Sequence, residues 1–302
     1  MKKVKNMNYN WKMSIKNLTA TALLFCSTVA YCNQPLKTQQ KMDKQPYYVI
    51  DFNAVNCLIN ICVNDVPVFS MEVKGQMATT IPVNQAILAS GEQQVSYRIL
   101  PLSDESALSS NAIFEASVWL YYDWIDNWYD KKEEISTLFA LPENKTDTPL
   151  PMYQGENSFF AEVPYTLNAW QNSQDLNKID NLRKLVNATY RKIENLINTG
   201  QYEKFAAMVQ KREDNIAVCF YLSEEEKNKR QTDLIKEIET GFKIVPVSEE
   251  DTMFIYGYGK LVSLKKSDGS SALLLYNEDT DEELTLEIRL HLEQGKTELS
   301  II

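Results

Sequence analysis

Between Ser173 and Thr240 the apolar residues recur every three or four positions: Leu176, Ile179, Leu182, Leu185, Val186, Ile193, Leu196 and Ile197. That period sets them on one face of a helix, which must then lie against something. Gly200, just after Asn198-Thr199, suits the left-handed position that ends a helix. A second helix is predicted from Tyr202 to Val209 or beyond, with Phe205, Met208 and Val209 inward. Ser223-Glu224-Glu225-Glu226 reads as a capping box opening a third, faced by Leu234, Ile235 and Ile238 and stopped at Thr240-Gly241.

On both sides of this block the pattern alternates instead, as strands do. Ahead of it, strands are predicted over Tyr47–Phe52, Asn56–Val63, Val66–Glu72, Thr79–Val83, Val95–Leu100, Phe114–Leu120 and Ser158–Val163. Asn64-Asp65 should form a tight hairpin, because both residues tolerate the positive φ that two-residue turns require. Lys74-Gly75 and Ser90-Gly91-Glu92 are further expected turns, and Leu141–Pro151, with three prolines, is the expected linker. Behind the helices, Lys243–Val247, Thr252–Lys266, Ala272–Asn277, Glu283–Glu293 and Thr297–Ile302 read as an antiparallel meander. The expected fold class is α+β: a β-sandwich over 46–165, then a domain over 166–302 whose helices at 173–240 pack on a meander at 243–302.

The runs ICVNDVPVFS (61–70) and TTIPVNQAILASGEQQVSYRI (79–99) resemble the galactose-binding-like jelly-roll sandwich. That family often shows a strand, an Asn-Gly or Asn-Asp turn, a second strand and a Gly-centred element before the next. Here Leu88–Gln93 stands in the last place, and the resemblance covers about residues 48–100. It implies a sandwich fold and, by analogy with such domains, glycan binding; no binding residue of the family matches a position here.

Composition changes the picture at the N-terminus. Lys2, Lys3, Lys5, Lys12 and Lys16 precede an uncharged, mostly apolar run, Leu18–Ala30, and small residues stand at cleavage spacing in Ala30-Tyr31-Cys32. Residues 1–32 therefore read as an export signal, placing the chain in the periplasm of a Gram-negative cell, and 33–45 as a polar, flexible lead-in. Neither Cys26, after Phe25, nor Cys32, after Tyr31, follows the small residue that lipidation wants. The apolar run is short for a permanent span, and no stable membrane insertion is expected after its removal. Net charge is −10 for the whole sequence; removing five lysines and no acid takes it to −15. So acidic a chain repels phosphate backbones, which argues against nucleic acid and for a basic protein or a neutral glycan as partner.

Most of the acid lies between residues 99 and 165, where twelve Asp and Glu face three Lys. Within it, Trp119, Tyr121, Asp123, Trp124, Asp126, Trp128, Tyr129 and Asp130 interleave rings with carboxylates. Phe114, Ala116, Val118 and Leu120 should face the core, with Trp119 and Tyr121 opposite. Rings on the outer face beside an acidic loop would form a recognition surface; the alternative is that the helical block covers that face and the rings are core.

Catalytic chemistry has little to draw on. The one histidine, His291, alternates with Leu290 and Leu292 and is expected to point outward, and Ser-His-acid or Cys-His catalysis would depend on it. Cys57, Cys62 and Cys219 read as small buried hydrophobes; five residues along a strand is ~16 Å at ~3.3 Å per residue, beyond disulfide reach. No CxxC or His-Cys cluster supports zinc, and Asp279, Asp281 and Glu283 start a calcium loop that lacks its Gly and closing Glu. Tyr256-Gly257-Tyr258-Gly259 lacks nucleotide-loop spacing and is expected within a strand as a bulge or close backbone approach. Paired carboxylates of a glycosidase stay open, since sequence spacing does not fix separation in space. The expectation is a protein-binding module of the inhibitor or toxin-immunity kind, not an enzyme, with no cofactor and no metal; a glycan-binding role is the alternative.

Overall fold

The structure, a computed structural model, describes residues 3–5, 45–122, 133–135, 139–140, 150–266 and 269–302. The described residues form an α+β fold of three α-helices and antiparallel sheets, the first curled into a half-barrel.

The spine of that sheet is β2 (Pro46–Val63), which pairs with β3 (Val66–Pro82) along nearly its whole length. Across its other side it pairs with β5 (Ile113–Tyr122) over Pro46–Val55 and with β4 (Gly91–Leu100) over Leu58–Val63. The change of neighbour falls at Asn56, which has φ 47° and lies in a register shift. Its Oδ1 accepts the amide of Gly75 (φ 88°) across the ladder at 2.8 Å. Lys74-Gly75 is therefore an irregularity inside one long strand, not a turn: residues that tolerate positive φ absorb the shift, and the pairing resumes. For the same reason the two strands expected over 47–63 are one.

Asn64 and Asp65 turn β2 into β3 with φ 51° and 60°, the double positive φ of a two-residue hairpin. β4 pairs outward with the edge strand β8 (Tyr153–Ala161), while β5 carries the short β6 (Glu133–Glu134) and β7 (Phe139–Ala140). Alternate residues Phe114, Ala116, Val118 and Leu120 of β5 point into the core with Ile50, Phe52, Ile59 and Ile61 of β2. The expected linker lies outside the described residues except at its end.

The helices are α1 (Leu182–Asn198), α2 (Tyr202–Cys219) and α3 (Glu224–Glu239). α1 starts later than the apolar period suggests. Asp175 caps a separate 3-10 turn, Leu176–Lys178, by accepting from the Asn177 amide, and Asn181 (φ 57°) breaks the chain before Leu182. Gly200 (φ 67°) follows α1, with the amides of Gly200 and Gln201 bonded back to Ile197 and Leu196. Ser223 and Glu226 form the reciprocal capping box of α3.

The C-terminal strands form two sheets, not one meander. β9 (Lys243–Val245), β12 (Leu274–Asn277) and β13 (Glu282–Thr285) make one, with β1 (Lys3–Lys5) parallel to β13. The other runs β10 (Thr252–Tyr256), β11 (Leu261–Lys265), β14 (Leu290–His291) and β15 (Ser300–Ile301). Helical faces and sheets share one core, where Val186, Ile193, Phe205 and Leu234 meet Leu264, Leu275 and Leu290. Tyr256 ends β10, and the next three residues lie outside any strand. Gly257, Tyr258 and Gly259 all have positive φ and turn β10 into β11.

That turn is where the two halves meet. The amide of Gly257 donates to Asp65 O at 3.0 Å, and the amide of Tyr258 to Asp65 Oδ2 at 2.8 Å. At the other end of β2, Tyr47 Oη donates to Phe220 O and Tyr221 Oη to Pro46 O. Buried Asn84 spans the seam, its Nδ2 donating to both Pro46 O and Cys219 O. Trp170, Cys219, Tyr256, Leu261 and Ile302 belong to the same apolar cluster as the sandwich strands.

Candidate binding surface

The outer face of β5 is where the sequence expectation is most concrete. Trp119 is half-buried, its indole Nε1 donating to Ser117 Oγ at 2.9 Å, and Tyr121 is 1% exposed. Both pack with Tyr47 and Val49 beneath Phe220 and Tyr221, the residues that follow α2. The end of the helix thus covers this face, and Tyr121 serves as core. Asp123, Trp124, Asp126, Trp128, Tyr129 and Asp130 lie outside the described residues.

A second aromatic and acidic face appears on β4 and β8, and strand alternation builds it. Gln154, Glu156, Ser158 and Phe160 of β8 point outward, as do Glu92, Gln94 and Arg98 of β4. Register sets Phe160 opposite Glu92 and Ser158 opposite Gln94, and Ser158 Oγ donates to Glu92 Oε1 at 2.9 Å. Gly155 lets the ring of Tyr97 lie across β8: a Cβ there would meet Tyr97 Oη at 2.2 Å. Tyr258 joins the face from the β10–β11 turn, its hydroxyl donating to Gln94 Oε1 at 3.1 Å. Burial, and then the charges of Asp65 and Glu156, push that hydroxyl above its ordinary value. Phe160 is 65% exposed and Tyr258 60%, more than any other large apolar side chain among the described residues. Exposed Glu162 continues the row past Phe160. Two solvated rings thus stand among Glu92, Glu156, Glu162 and Asp65 on one surface. The strand alternation at 158–163 contained the signal for Phe160, but Tyr258 reaches this sheet only through the seam.

His291 does not point outward. It is fully buried, and its Nδ1 lies 2.7 Å from Ser173 Oγ, with Glu293 Oε1 3.8 Å from Nε2. The residues of a Ser-His-acid set are therefore neighbours, although the ring is reversed relative to a serine hydrolase. Ser173 is itself only 3% exposed, so a substrate cannot reach its hydroxyl without opening the structure. Burial, then the ammonium of Lys211, pulls the imidazole down to about 4, with Glu293 opposing. So weak a base, sealed from solvent, pins the 166–181 connection to β14. The connection covers the second face of β14, a long-range contact that alternation within the strand could not reveal.

The calcium-like acids make a hairpin instead: Asn277 Oδ1 accepts the amides of Asp279 and Thr280, and Tyr276 Oη donates to Asp281 Oδ1. Among the described residues no three His, Cys, Asp or Glu side chains converge as metal ligands. Cys57 and Cys219 are buried and Cys62 is half-buried, all three as free thiols. No described helix is long and apolar enough to cross a membrane, which does not bear on β-barrels. The chain matches no protein family, no curated protein and no solved structure.

Proposed function

We propose that this is an exported, non-enzymatic protein-binding module of the inhibitor or toxin-immunity kind, which holds a basic partner on the outer face of β4 and β8. The observation that carries the reading is the pairing of two exposed rings, Phe160 and Tyr258, with Glu92, Glu156 and Glu162 on one surface. Aromatic side chains supply anchors that gain most from desolvation, while surrounding carboxylates steer a cationic surface into register. Export rests on the basic and apolar pattern of residues 2–30. A sealed His291 supports a binding role over catalysis.

The test is a pull-down from envelope and secreted fractions, comparing the native protein with Phe160→Ala plus Tyr258→Ala. The identified partner should be basic, bind about tenfold or more weakly to the double variant, and associate more slowly as salt rises. Equal affinity for a correctly folded double variant would remove the site. Binding to a glycan array, abolished by the same substitutions, would move it to the glycan reading.

A further inference from the structure

We propose that the seam between the sandwich and the helical half holds a binding site for a small hydroxy-carboxylate, with Arg289 as its anion contact. A cavity of about 70 Å³ lies there, between the segment after β3, the 166–181 connection, α2 and the end of the chain. Leu167, Trp170 and Ile216 give it an apolar wall, and Gln85, Arg212, Glu287 and Arg289 a polar one.

Of the charged side chains around it, all but Arg289 have an oppositely charged partner within the fold. Glu213 accepts from both Arg212 and Arg230, and Glu287 Oε2 accepts from Lys265 Nζ. Arg289 donates from Nη2 to the backbone oxygen of Pro67 at 2.6 Å. Its Nε is buried without a hydrogen-bond partner, and among the described side chains no carboxylate forms an ion pair with it. A half-buried guanidinium lacking a counter-charge is costly, and an anion admitted beside it relieves that cost. Gln85, another residue of the lining, carries a second unmet group of opposite demand: its Oε1 is buried and accepts from nothing. Sulfate, which only accepts, would satisfy Arg289 and leave Gln85 unmet. A carboxylate carrying a hydroxyl on the neighbouring carbon answers both, with its carbon skeleton against Trp170. The cavity limits such a ligand to a few heavy atoms, the size of glycolate or lactate.

Thermal melting and calorimetric titration of the full chain test this with five probes: glycolate, lactate, acetate, lactamide and sulfate. Glycolate or lactate should raise the melting temperature in a saturable way, acetate and sulfate less, and uncharged lactamide not at all. Arg289→Gln should weaken the hydroxy-acid about tenfold or more. Gln85→Leu should erase the advantage of glycolate over acetate while keeping some response to both, so the proposal remains testable if Arg289→Gln does not fold. A protein indifferent to every probe, as expected if a bridging water alone satisfies the two groups, overturns the proposal. So does an unchanged probe series in the Gln85→Leu variant, or undiminished binding in a folded Arg289→Gln.

Discussion

His291 shows how one side chain can set a measurable property of the whole chain. The imidazole is neutral in both states above its unfolded value of about 6.5. As pH falls, the unfolded chain takes up a proton that the folded chain refuses until about 4. Stability is therefore lost progressively as pH falls between those values and levels off below them, by about 3 kcal/mol in all. Carboxylates held low in the fold, such as Glu213 and Glu293, add their own loss only below about pH 4.5. With a single histidine in the sequence, the slope between pH 6.5 and 5 belongs to it. Urea unfolding at intervals across that window should show the slope, and His291→Gln should flatten it. An unchanged slope in the variant would mean that the ring titrates normally. Gly155 makes the same point by packing: Gly155→Ala sets a methyl into the Tyr97 ring, and the displaced ring should cost about 1 to 3 kcal/mol in chemical denaturation.

At the level of elements, the sequence was readable where a structure is closed by its own neighbours. The Asn64-Asp65 hairpin, Gly200 behind α1 and the Ser223–Glu226 capping box each follow from side-chain chemistry within a few residues. Ser223→Ala should therefore lower stability by about 1 kcal/mol, with hydrogen exchange accelerated first at the start of α3. The misread elements depend on distant partners. Gly75 stays inside β3 because Asn56, on another strand, captures its amide. Gly259 lies in a turn because its backbone fits against the Asp175–Asn177 segment, where a Cβ would come within 2.6 Å of Asn177 Nδ2. The binding face was half legible for the same reason: Phe160 follows from alternation, whereas Tyr258 arrives from more than 160 residues away. Between α2 and α3, Glu213 is 1% exposed. Burial pushes its carboxyl up, but Arg212 and Arg230 outweigh that and hold it below its usual range. Glu213→Gln removes the charge shared by two guanidiniums and should cost about 3 kcal/mol or more in chemical denaturation.

Across the whole molecule, the seam decides whether the two halves behave as one. Two folded units joined by a solvated linker would melt separately, each with its own core. Here the contact is apolar and hydrogen-bonded at both ends of β2: the Asp65 turn meets Gly257 and Tyr258, and Tyr47 and Asn84 meet the end of α2. Trp170, Tyr256 and Leu261 are 7% exposed or less and lie in the same cluster as the sandwich strands, so separating the halves would open the core of the first. Exposing a Trp and several aliphatic side chains costs many times the thermal energy, at about 25 cal/mol per Å² of apolar surface. The expected calorimetric result is one transition, with van't Hoff and calorimetric enthalpies in agreement. Trp170→Ala, which empties the seam next to Gly257, should lower stability by about 3 to 5 kcal/mol and begin to split that transition. Two separated transitions in the unmodified protein would show that the halves fold independently and that the seam contributes little to either.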